Sequence, residues 1–465
     1  MKRQTKTKAK SNAKVWTRKP TENKKRDRIL AILVAGAFMI VGGTLLIRSF
    51  AATPPNSYGL SIPGNRLLYE SQSALENDMS RTAATGAHWV RFDLIWQDME
   101  PRKGTINWSN VDRVVASAQS KGLHIVGVVV TTPTWNRPTG QDYGYGPHTA
   151  QERNEFAAFA AKAASRYAGK IEVWEVWNEP NLQGSWHSPD PALYTALVKS
   201  TYPAIRQAAP DAKVILGGTG WPNGSPEIAT VTWYNALYAN GIKGYFDAAT
   251  IHPYSDFSSV SGGEMANATK VRTIMNNNGD TAKQLWGTEA GAPTGGAPGS
   301  YLSEQAQATM VTQANDYWTT IQNHGPLFWY TLADTGGTDR EGFFGIIRTD
   351  GSLKPAYTTY KNYIASHGAV TDKTPPTVSI TTPVNNQTLS GVYSIQVVVN
   401  DNVGIAKTTV VIDKTLYGSI STQPPYSVPL DTKKLTNGTH TLVVQAYDAA
   451  GNIGKSNPVT VTVRN

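Results

Sequence analysis

Cysteine is absent from all 465 residues of the sequence. Its absence excludes disulfide bonds, thiolate metal sites and a cysteine nucleophile. Metal-binding motifs are missing too, because the eight histidines are scattered and the chain has neither an HExxH pair nor an Asp-rich calcium loop. We therefore expect neither a metal ion nor a cofactor in this protein.

Outside one short segment the chain also has little net charge. The formal charge of +9 comes from residues 1–28, which hold twelve Lys and Arg against two acidic residues. Residues 29–465 carry 31 basic and 32 acidic residues and are close to neutral. Because residues 29–465 have no excess positive charge, nucleic acid is not expected as a partner. We interpret residues 1–28 as a basic cytoplasmic tail that sets membrane topology and touches anionic lipid.

A single long run of apolar residues follows the basic tail. Residues 29–47, ILAILVAGAFMIVGGTLLI, contain no charge and would form roughly 28 Å of helix, about one bilayer core. We predict a transmembrane signal anchor in the cell membrane, with the N-terminus cytoplasmic, a linker over 48–57 and the later residues outside the cell. The alternative is a signal peptide cleaved near Ala51, which would release a secreted protein, although its apolar region is usually shorter.

Residues 58–367 alternate short apolar strands with helical stretches. The predicted strands span 58–62, 88–95, 123–130, 171–177, 213–218, 246–252, 284–289 and 327–332. Segments with helical periodicity separate them, and one follows the last strand. Eight such units in about 310 residues predict an α/β fold, the (β/α)8 TIM barrel. A doubly wound open sheet is the alternative, but no Gly-rich phosphate loop follows the first predicted strand.

The composition changes after a predicted linker at 368–376. Residues 377–465 are rich in Val and Thr, carry Asn-Gly, Asp-Asn and Gly-Asn turn signals and contain no convincing helix. This pattern predicts an all-β immunoglobulin-like sandwich of about seven strands. The segments DNVGIAKTTVVID and YDAAGN resemble bacterial immunoglobulin-like modules, which are more often spacers than binding domains.

Polar and aromatic residues gather where the predicted barrel strands end. The stretch WEVWNEPN places Asn178 and Glu179 at the end of the fourth strand, because Pro180 has no N–H for a sheet. The other candidates are Arg91 in the second strand, Trp135 after the third, His252 and Tyr254 after the sixth, Glu289 ending the seventh, and Trp329 and Tyr330 in the eighth. Catalytic side chains collect at this end of a barrel. Two carboxylates among aromatic rings suit the cleavage of a glycosidic bond.

These motifs resemble the clan A glycoside hydrolases, retaining enzymes that act on β-linked sugars and are built on (β/α)8 barrels. WNEP, with a Glu ending the seventh strand, carries the resemblance. The segments VRFDLIWQDMEPRKGTINW and GIIRTDGSLKPAYTTYKNY are most similar to the family-39-like bacterial branch. The resemblance implies Glu179 as general acid/base and Glu289 as nucleophile, and it implies that Asn178 hydrogen-bonds the sugar 2-hydroxyl.

The resemblance also implies roles for residues around Glu289. Arg91 would keep this carboxylate ionised by its charge, and Tyr254 would do so by a hydrogen bond. His252 would line the same subsite, with a structural histidine as the alternative. Trp329 is the predicted platform under the sugar at the cleavage site, and barrel core is its alternative.

Neighbouring residues have simpler interpretations. Apolar surroundings such as Trp135 would favour the protonated form of Glu179 that a general acid needs. Glu175 is expected to be an internal ion-pair partner, for instance of Arg91, and Glu172 a surface charge. Trp174 and Trp286 are expected to be core or helix-packing residues. Two loop positions remain open: Trp186-His187 and Trp221 either shape outer sugar subsites or cap loops.

We predict from these observations a monomeric, membrane-anchored glycosidase that cleaves a β-linked oligo- or polysaccharide by double displacement, without a cofactor. The alternative from another class is a non-catalytic surface protein that binds carbohydrate or mediates adhesion. Transglycosylation would use the same residues and differ only in whether water or a sugar reaches the intermediate.

Overall fold

A computed structural model describes residues 58–256, 259–367, 374–401, 405–420, 426–448 and 452–465. The predicted cytoplasmic tail, the predicted anchor with its linker, and most of the second linker lie outside these residues. None of the helices within the described ranges is both long and apolar enough to cross a membrane.

Eight parallel strands close into a barrel in sequence order. They are β1 Tyr58–Ser61, β2 Trp89–Ile95, β3 His124–Val130, β4 Val173–Val176, β5 Lys213–Leu216, β6 Ala248–Ile251, β7 Gln284–Ala290 and β8 His324–Tyr330. The predicted (β/α)8 barrel and its eight strands are therefore confirmed. The largest difference is at β8, which begins at His324 instead of 327 and ends at Tyr330 instead of 332.

Helices surround the barrel and connect its strands. They are α1 Gly64–Tyr69, α2 Gln72–Ala84, α3 Trp96–Met99, α4 Ser109–Ser120, α5 Ala150–Arg166, α6 Pro191–Ala208, α7 Thr230–Ala239, α8 Asn267–Asn277, α9 Glu304–Thr319 and α10 Pro355–His367. Local sequence sets where several of them begin. The Thr149 hydroxyl accepts from the Glu152 N–H, and the Glu152 carboxylate accepts from the Thr149 N–H. This reciprocal capping satisfies two N–H groups that have no partner within α5.

The barrel core has two layers. The inner layer fills the barrel with one side chain from each of seven strands: Trp89, Val126, Val173, Ile215, Ala248, Trp286 and Phe328. Side chains of opposite strands can form one cluster only inside the barrel. The outer, larger layer lies between strands and helices and contains Trp174. Trp174 and Trp286 are fully buried, which confirms their prediction as core residues.

The C-terminal strands form a sandwich of two sheets. They are β9 Thr377–Thr382, β10 Gln387–Leu389, β11 Val392–Asn400, β12 Ile405–Ile412, β13 Thr415–Ile420, β14 Tyr426–Asp431, β15 Gly438–Asp448, β16 Ile453–Lys455 and β17 Val459–Val463. One sheet has the order β10-β17-β15-β12-β13, with β16 also on β15, and the other has the order β14-β11-β9. The predicted sandwich is confirmed, with two short strands, β10 and β16, beyond the seven expected.

Candidate active site

Glu179, His252 and Glu289 lie at the carboxyl ends of β4, β6 and β7. Glu289 is the penultimate residue of β7, and His252 directly follows β6. Glu179 lies just beyond β4, where its N–H donates to the Gly218 carbonyl at 3.0 Å. Its φ of 46° and that of Trp177, 71°, are in the left-handed region, which costs a non-glycine residue about 1–3 kcal/mol. This strained turn presents Glu179 to the barrel mouth.

Arg91 is the electrostatic centre of the site. Its guanidinium donates to both carboxylate oxygens of Glu175, at 2.7 and 3.1 Å, and to Glu289 at 2.6 Å. It also donates to the hydroxyl of Ser61 at 3.0 Å and to Oδ1 of Asn178 at 2.7 Å. Arg91 and Glu175 are buried, so these bonds act in a medium that screens charge weakly. The predicted ion pair between Arg91 and Glu175 is confirmed.

Glu289 is held by two donors from opposite sides. Arg91 donates to Oε1, and the Tyr254 hydroxyl donates to Oε2 at 2.8 Å. Burial alone would raise the pKa of Glu289, but the charges of His252 and Arg91 and the bond from Tyr254 outweigh it and lower that pKa. The same donors that were expected to keep Glu289 ionised therefore contact it directly.

His252 lies between the two carboxylates. Its Nδ1 is 2.9 Å from Oε1 of Glu179 and 3.6 Å from Oε2 of Glu289. Burial lowers the pKa of His252, yet the charge of Glu289 and the bond to Glu179 raise it overall. Its Nε2 is buried and has no hydrogen-bond partner among the described residues. Nδ1 of His252 is thus within hydrogen-bond distance of Glu179 and in ionic contact with Glu289, and its role towards a sugar stays a prediction.

The same three side chains are a possible set of metal ligands. Glu179, His252 and Glu289 each offer one ligand atom, and these atoms lie within 4.8 Å of one another. Both oxygens of Glu289 already accept hydrogen bonds from Arg91 and Tyr254, however, and the guanidinium would repel a cation beside it. The donor set therefore suits proton transfer better than metal binding.

The predicted sugar platform is not at the site surface. Trp329 is 2% exposed and belongs to the layer between strands and helices. Side chains alternate along a strand, so Phe328, inside the barrel, and Tyr330 face the opposite way. Tyr330 stands edge-to-face on Tyr254, with 6.5 Å between ring centres. The structure thus brings Tyr330 to the site and leaves Trp329 in the core, the alternative interpretation of that residue.

Trp135 and Trp186 have packing contacts of their own. Trp135 lies edge-to-face on Trp96, with 5.5 Å between ring centres, and its indole N–H donates to the Glu100 carbonyl at 2.7 Å. The expectation that Trp135 provides apolar surroundings for Glu179 stays a prediction. Trp186 is fully buried and packs edge-to-face on Trp177, so it caps the loop after β4.

Asp93 is a residue of the site that the sequence interpretation missed. Its Oδ2 accepts from the Gly64 N–H at 3.1 Å. Burial and the charges of Glu289 and Glu175 raise the pKa of Asp93, against the opposing effect of Arg91. Asp93 is two residues after Arg91 on β2, and this spacing, which puts both side chains on one face, was the available signal.

The barrel matches the model of a known protein family. The family model of cellulase, glycosyl hydrolase family 5, matches residues 51–331, more than half of the chain. The model of a bacterial immunoglobulin domain matches residues 376–444. Endo-1,4-beta-xylanase 3 of Hypocrea jecorina is 28% identical over 124 residues, which are 26% of this chain and 35% of that protein. The chain thus spans about a third of the length of the curated relatives it matches.

Solved structures with the same fold include glycoside hydrolases of two families. A family 39 enzyme from Bacteroides cellulosilyticus is 19% identical with a TM-score of 0.56, covering 82% of this chain and 79% of that chain. A GH5_18 protein from Streptomyces cattleya is 16% identical with a TM-score of 0.55, covering 73% and 85%. A monomeric beta-xylosidase from Caulobacter crescentus is 19% identical with a TM-score of 0.52, covering 87% and 78%.

The expected kinship with the clan A glycoside hydrolases is confirmed, with family 5 as the matching family model and family 39 among the structural neighbours. Membership of a glycosyl hydrolase family agrees with the expected glycosidase class. The chain belongs to the cellulase family, glycosyl hydrolase family 5, over residues 51–331, and it carries a C-terminal bacterial immunoglobulin domain over residues 376–444.

Proposed function

We propose that the protein is a retaining glycosidase that hydrolyses β-linked glycans by double displacement. The observation that carries the proposal is the short distance between Glu179 and Glu289. One carboxylate oxygen of Glu179 lies within 4.8 Å of a carboxylate oxygen of Glu289. A separation of about 5–5.5 Å between carboxyl groups suits a nucleophile beside an acid, whereas inverting enzymes need about 6.5–9.5 Å to fit a water between them.

Glu289 is the proposed nucleophile. A nucleophilic carboxylate must be ionised before substrate arrives, and the guanidinium of Arg91 and the hydroxyl of Tyr254 both stabilise that charge. Two carboxylates this close repel each other when both are charged. Glu289, which has the guanidinium contact and the lowered pKa, is therefore the carboxylate that stays ionised, whereas Glu179 contacts His252.

Glu179 is the proposed general acid/base. In the first step, an oxygen of Glu289 bonds to the anomeric carbon, the bond to the leaving oxygen breaks, and Glu179 gives its proton to that oxygen. In the second step, Glu179 takes a proton from water, whose oxygen attacks the anomeric carbon and releases the Glu289 carboxylate. His252, whose Nδ1 lies 2.9 Å from Oε1 of Glu179, fixes the direction of that carboxyl in both steps.

Asn178 is the proposed ligand of the sugar 2-hydroxyl. Its Oδ1 accepts from Arg91 at 2.7 Å, so its amide group is turned with the NH2 away from the guanidinium. A donor fixed in this way can bind a hydroxyl beside the anomeric carbon, where the interaction strengthens in the transition state. The aromatic face for the same sugar is supplied by Tyr330 instead of Trp329.

The test combines a substrate panel with two matched variants. The full chain, purified in detergent, is given β-glycosides and β-1,4-linked polysaccharides of xylose, glucose and mannose; the xylanase relative makes xylan the first choice. We expect wild type to cleave at least one of them, and Glu179→Gln and Glu289→Gln to lose at least about 10³-fold in rate. The first sugar released should keep its β configuration by NMR; an α product would show inversion and refute the double displacement.

We also propose that residues 29–47 anchor the enzyme with its catalytic barrel outside the cell. The absence of charge over nineteen residues and the cluster of twelve basic residues before them support this orientation. When protease is added to intact cells, it should degrade the barrel and leave a basic N-terminal fragment protected inside the cell. Recovery of the whole protein from the medium would instead support cleavage near Ala51.

A further inference from the structure

Lys354 is a buried cation that the proposed mechanism does not use. Its side chain is 1% exposed, and its ammonium pairs with Asp334, which is also buried. Lysine and aspartate side chains are almost never buried unless they are paired. Replacing a buried ion pair by apolar side chains is often neutral or stabilising, so stability alone gives little reason for this pair. Its place in the fold gives another reason.

The ammonium of Lys354 joins the segments that follow β7 and β8. It donates to Oγ1 of Thr294, after β7, at 2.6 Å and to Oδ1 of Asp334, after β8, at 2.8 Å. It also donates to the Phe343 carbonyl at 3.3 Å, so all three of its N–H donors have an acceptor. The Thr294 N–H donates to the same carbonyl at 3.0 Å. One cation therefore fixes the backbone at Phe343.

Phe344, the next residue, belongs to an aromatic cluster beside the proposed nucleophile. Its ring stands edge-to-face on Tyr254, with 5.8 Å between ring centres, and on Tyr330, with 5.6 Å. Tyr254 and Tyr330 also stand edge-to-face on each other. The Tyr254 hydroxyl donates to Oε2 of Glu289 at 2.8 Å. The position of Phe344 therefore limits how the ring that donates to Glu289 can turn.

Close backbone packing makes this arrangement stiff. A Cβ atom on Gly291 would lie 2.2 Å from the Tyr330 carbonyl oxygen, so the segment after β7 packs directly on the end of β8. A Cβ atom on Gly345 would lie 2.1 Å from the amide nitrogen of Asp334. A closely packed interior transmits strain instead of absorbing it. A displacement at the ion pair is therefore passed on to the aromatic cluster.

We propose that Lys354 is a positioning residue for the proposed nucleophile. Its ion pair with Asp334 holds Phe344 in place, and Phe344 in turn keeps the Tyr254 hydroxyl on Glu289. Lys354 acts only through these residues. This inference rests on the proposed function, because it takes Glu289 as the nucleophile.

A displaced Tyr254 would change the pH dependence of the reaction. Against the effect of burial, His252, Arg91 and the Tyr254 hydroxyl lower the pKa of Glu289. Loss of the hydroxyl bond should therefore move the acidic limb of kcat/KM to higher pH. The other charged or titratable groups around Glu289 are Arg91, Asp93, Glu175, Glu179, His252 and Tyr330. All of them are left unchanged in the variants below.

The experiment measures kcat/KM of the full chain against pH on β-glycosyl fluorides of xylose, glucose and mannose. Fluoride leaves readily, so the rate reports attack by Glu289. The variant is Lys354→Met/Asp334→Asn, which removes the ion pair without leaving a buried charge unpaired. We expect its acidic limb to move about 0.5–1 unit to higher pH. We also expect kcat/KM above that limb to fall about tenfold.

A double-mutant cycle with Tyr254→Phe tests the route of the effect. Tyr254→Phe has no hydroxyl to position, so adding Lys354→Met/Asp334→Asn to it should move the acidic limb no further. Shifts that add in full would show that the ion pair acts on Glu289 by another route, and they would overturn the positioning role. An acidic limb that stays in place in the folded Lys354→Met/Asp334→Asn protein would overturn it as well.

Arg272→Met is the matched control for lost stability. Arg272 is another buried cation, 3% exposed, and it donates to the carbonyls of Asp280 and Lys283. Both of these residues precede β7 and so lie at the opposite end of the strand. Arg272→Met should lower the thermal unfolding midpoint and leave the acidic limb unchanged. A limb that moves in this variant would show that lost stability alone shifts it, against the positioning role.

Thr294→Val is the second variant, and it decides the question if Lys354→Met/Asp334→Asn does not fold. It removes one hydroxyl beside the ammonium and leaves both charges of the ion pair in place. Its acidic limb should move in the same direction by a smaller amount. An unmoved limb would overturn the proposal.

The activity of wild type separates this inference from the proposed function. If wild type hydrolyses a fluoride and Glu289→Gln does not, while the loss of the ion pair leaves the acidic limb in place, the positioning role is refuted and the retaining glycosidase stands. If wild type hydrolyses no fluoride, or if Glu289→Gln is as active as wild type, the proposed function fails and the positioning role fails with it.

Discussion

Nη1 of Arg91 lies 2.6 Å from Oε1 of Glu289, although the two residues are 198 positions apart in the chain. The bond crosses the top of the barrel from β2 to β7. The same guanidinium also binds Glu175, so one cation contacts two buried carboxylates. The proposed nucleophile is therefore built into the electrostatics of the core, and removing a partner should alter both stability and pH dependence.

Replacing Tyr254 by Phe should shift the pH profile without changing any charge. The hydroxyl lowers the pKa of Glu289, and its loss should raise that pKa. Since the nucleophile must be ionised, the acidic limb of kcat/KM should move to higher pH by about 1 unit, in line with a hydrogen bond to a charged group. A pH profile of the variant with the same acidic limb as wild type would contradict the role of Tyr254.

Replacing Arg91 by Leu should destabilise the barrel strongly. The change leaves Glu175, which is 0% exposed, without its ion-pair partner, and breaking a buried pair from one side costs about 3–5 kcal/mol. Lys121→Met is the comparison, because its pair with Glu76 is 3.7 Å long and partly exposed and should contribute about 0–1 kcal/mol. Denaturant unfolding of both variants measures the difference; equal losses would show that Arg91 serves catalysis alone.

Trp329 and Tyr330 should respond differently to truncation. Trp329→Ala should cost about 3–5 kcal/mol of unfolding free energy because it empties a core position. Tyr330→Ala should instead lower kcat/KM on β-glycosyl fluorides, since Tyr330 packs on Tyr254 and is the proposed aromatic face for the reacting sugar. Measuring the free energy of unfolding and kcat/KM of both variants distinguishes a core role from a role in sugar binding. A catalytic defect in a fully stable Trp329→Ala protein would restore the original interpretation of that residue.

His440 should make the sandwich less stable as pH rises. Its Nε2 donates to the Thr436 carbonyl at 2.7 Å and its Nδ1 to Asp413 at 2.5 Å, so both nitrogens need a proton. The Thr436 carbonyl and Asp413 raise the pKa of His440 against the effect of burial. A pKa raised by folding contributes stability that is complete below the unfolded value, about 6.5, and is lost as pH passes the folded value.

NMR titration of His440 in the full chain measures its folded pKa, and unfolding from pH 5.5 to 9 measures the linkage. His440→Gln should remove that part of the pH dependence. Asp413 acts in the opposite direction: burial opposes the effect, but the bonds from Thr441 and His440 lower its pKa, so its contribution is lost only on acidification through that lowered pKa. A folded pKa of His440 below 6.5 would refute the prediction.

Several features of the site could be predicted from local sequence. Proline has no N–H to donate inside a central strand. Pro180 therefore predicts that Asn178 and Glu179 lie at the end of β4. Glu175, inside the fourth predicted strand, was expected to pair internally, and it does. In contrast, the choice between Trp329 and Tyr330 depends on which face of β8 turns inward. Alternation puts these two neighbours on opposite faces, but only the pairing of β8 with β1 and β7 fixes which face lines the barrel.

The sequence by itself determined the kind of chemistry and the repeat of the fold. The periodicity of strands and helices specifies eight β/α units, and the residue types at the strand ends supply two carboxylates, a guanidinium and an imidazole. Only the tertiary structure decided which of them meet. Closing the barrel brings strands from distant parts of the chain to one rim, and burial there makes each ion pair and hydrogen bond strong enough to set a charge state. It also decided that Trp186 is enclosed while Trp221 is exposed, because the tertiary contacts of the loops after β4 and β5 set the burial of each indole.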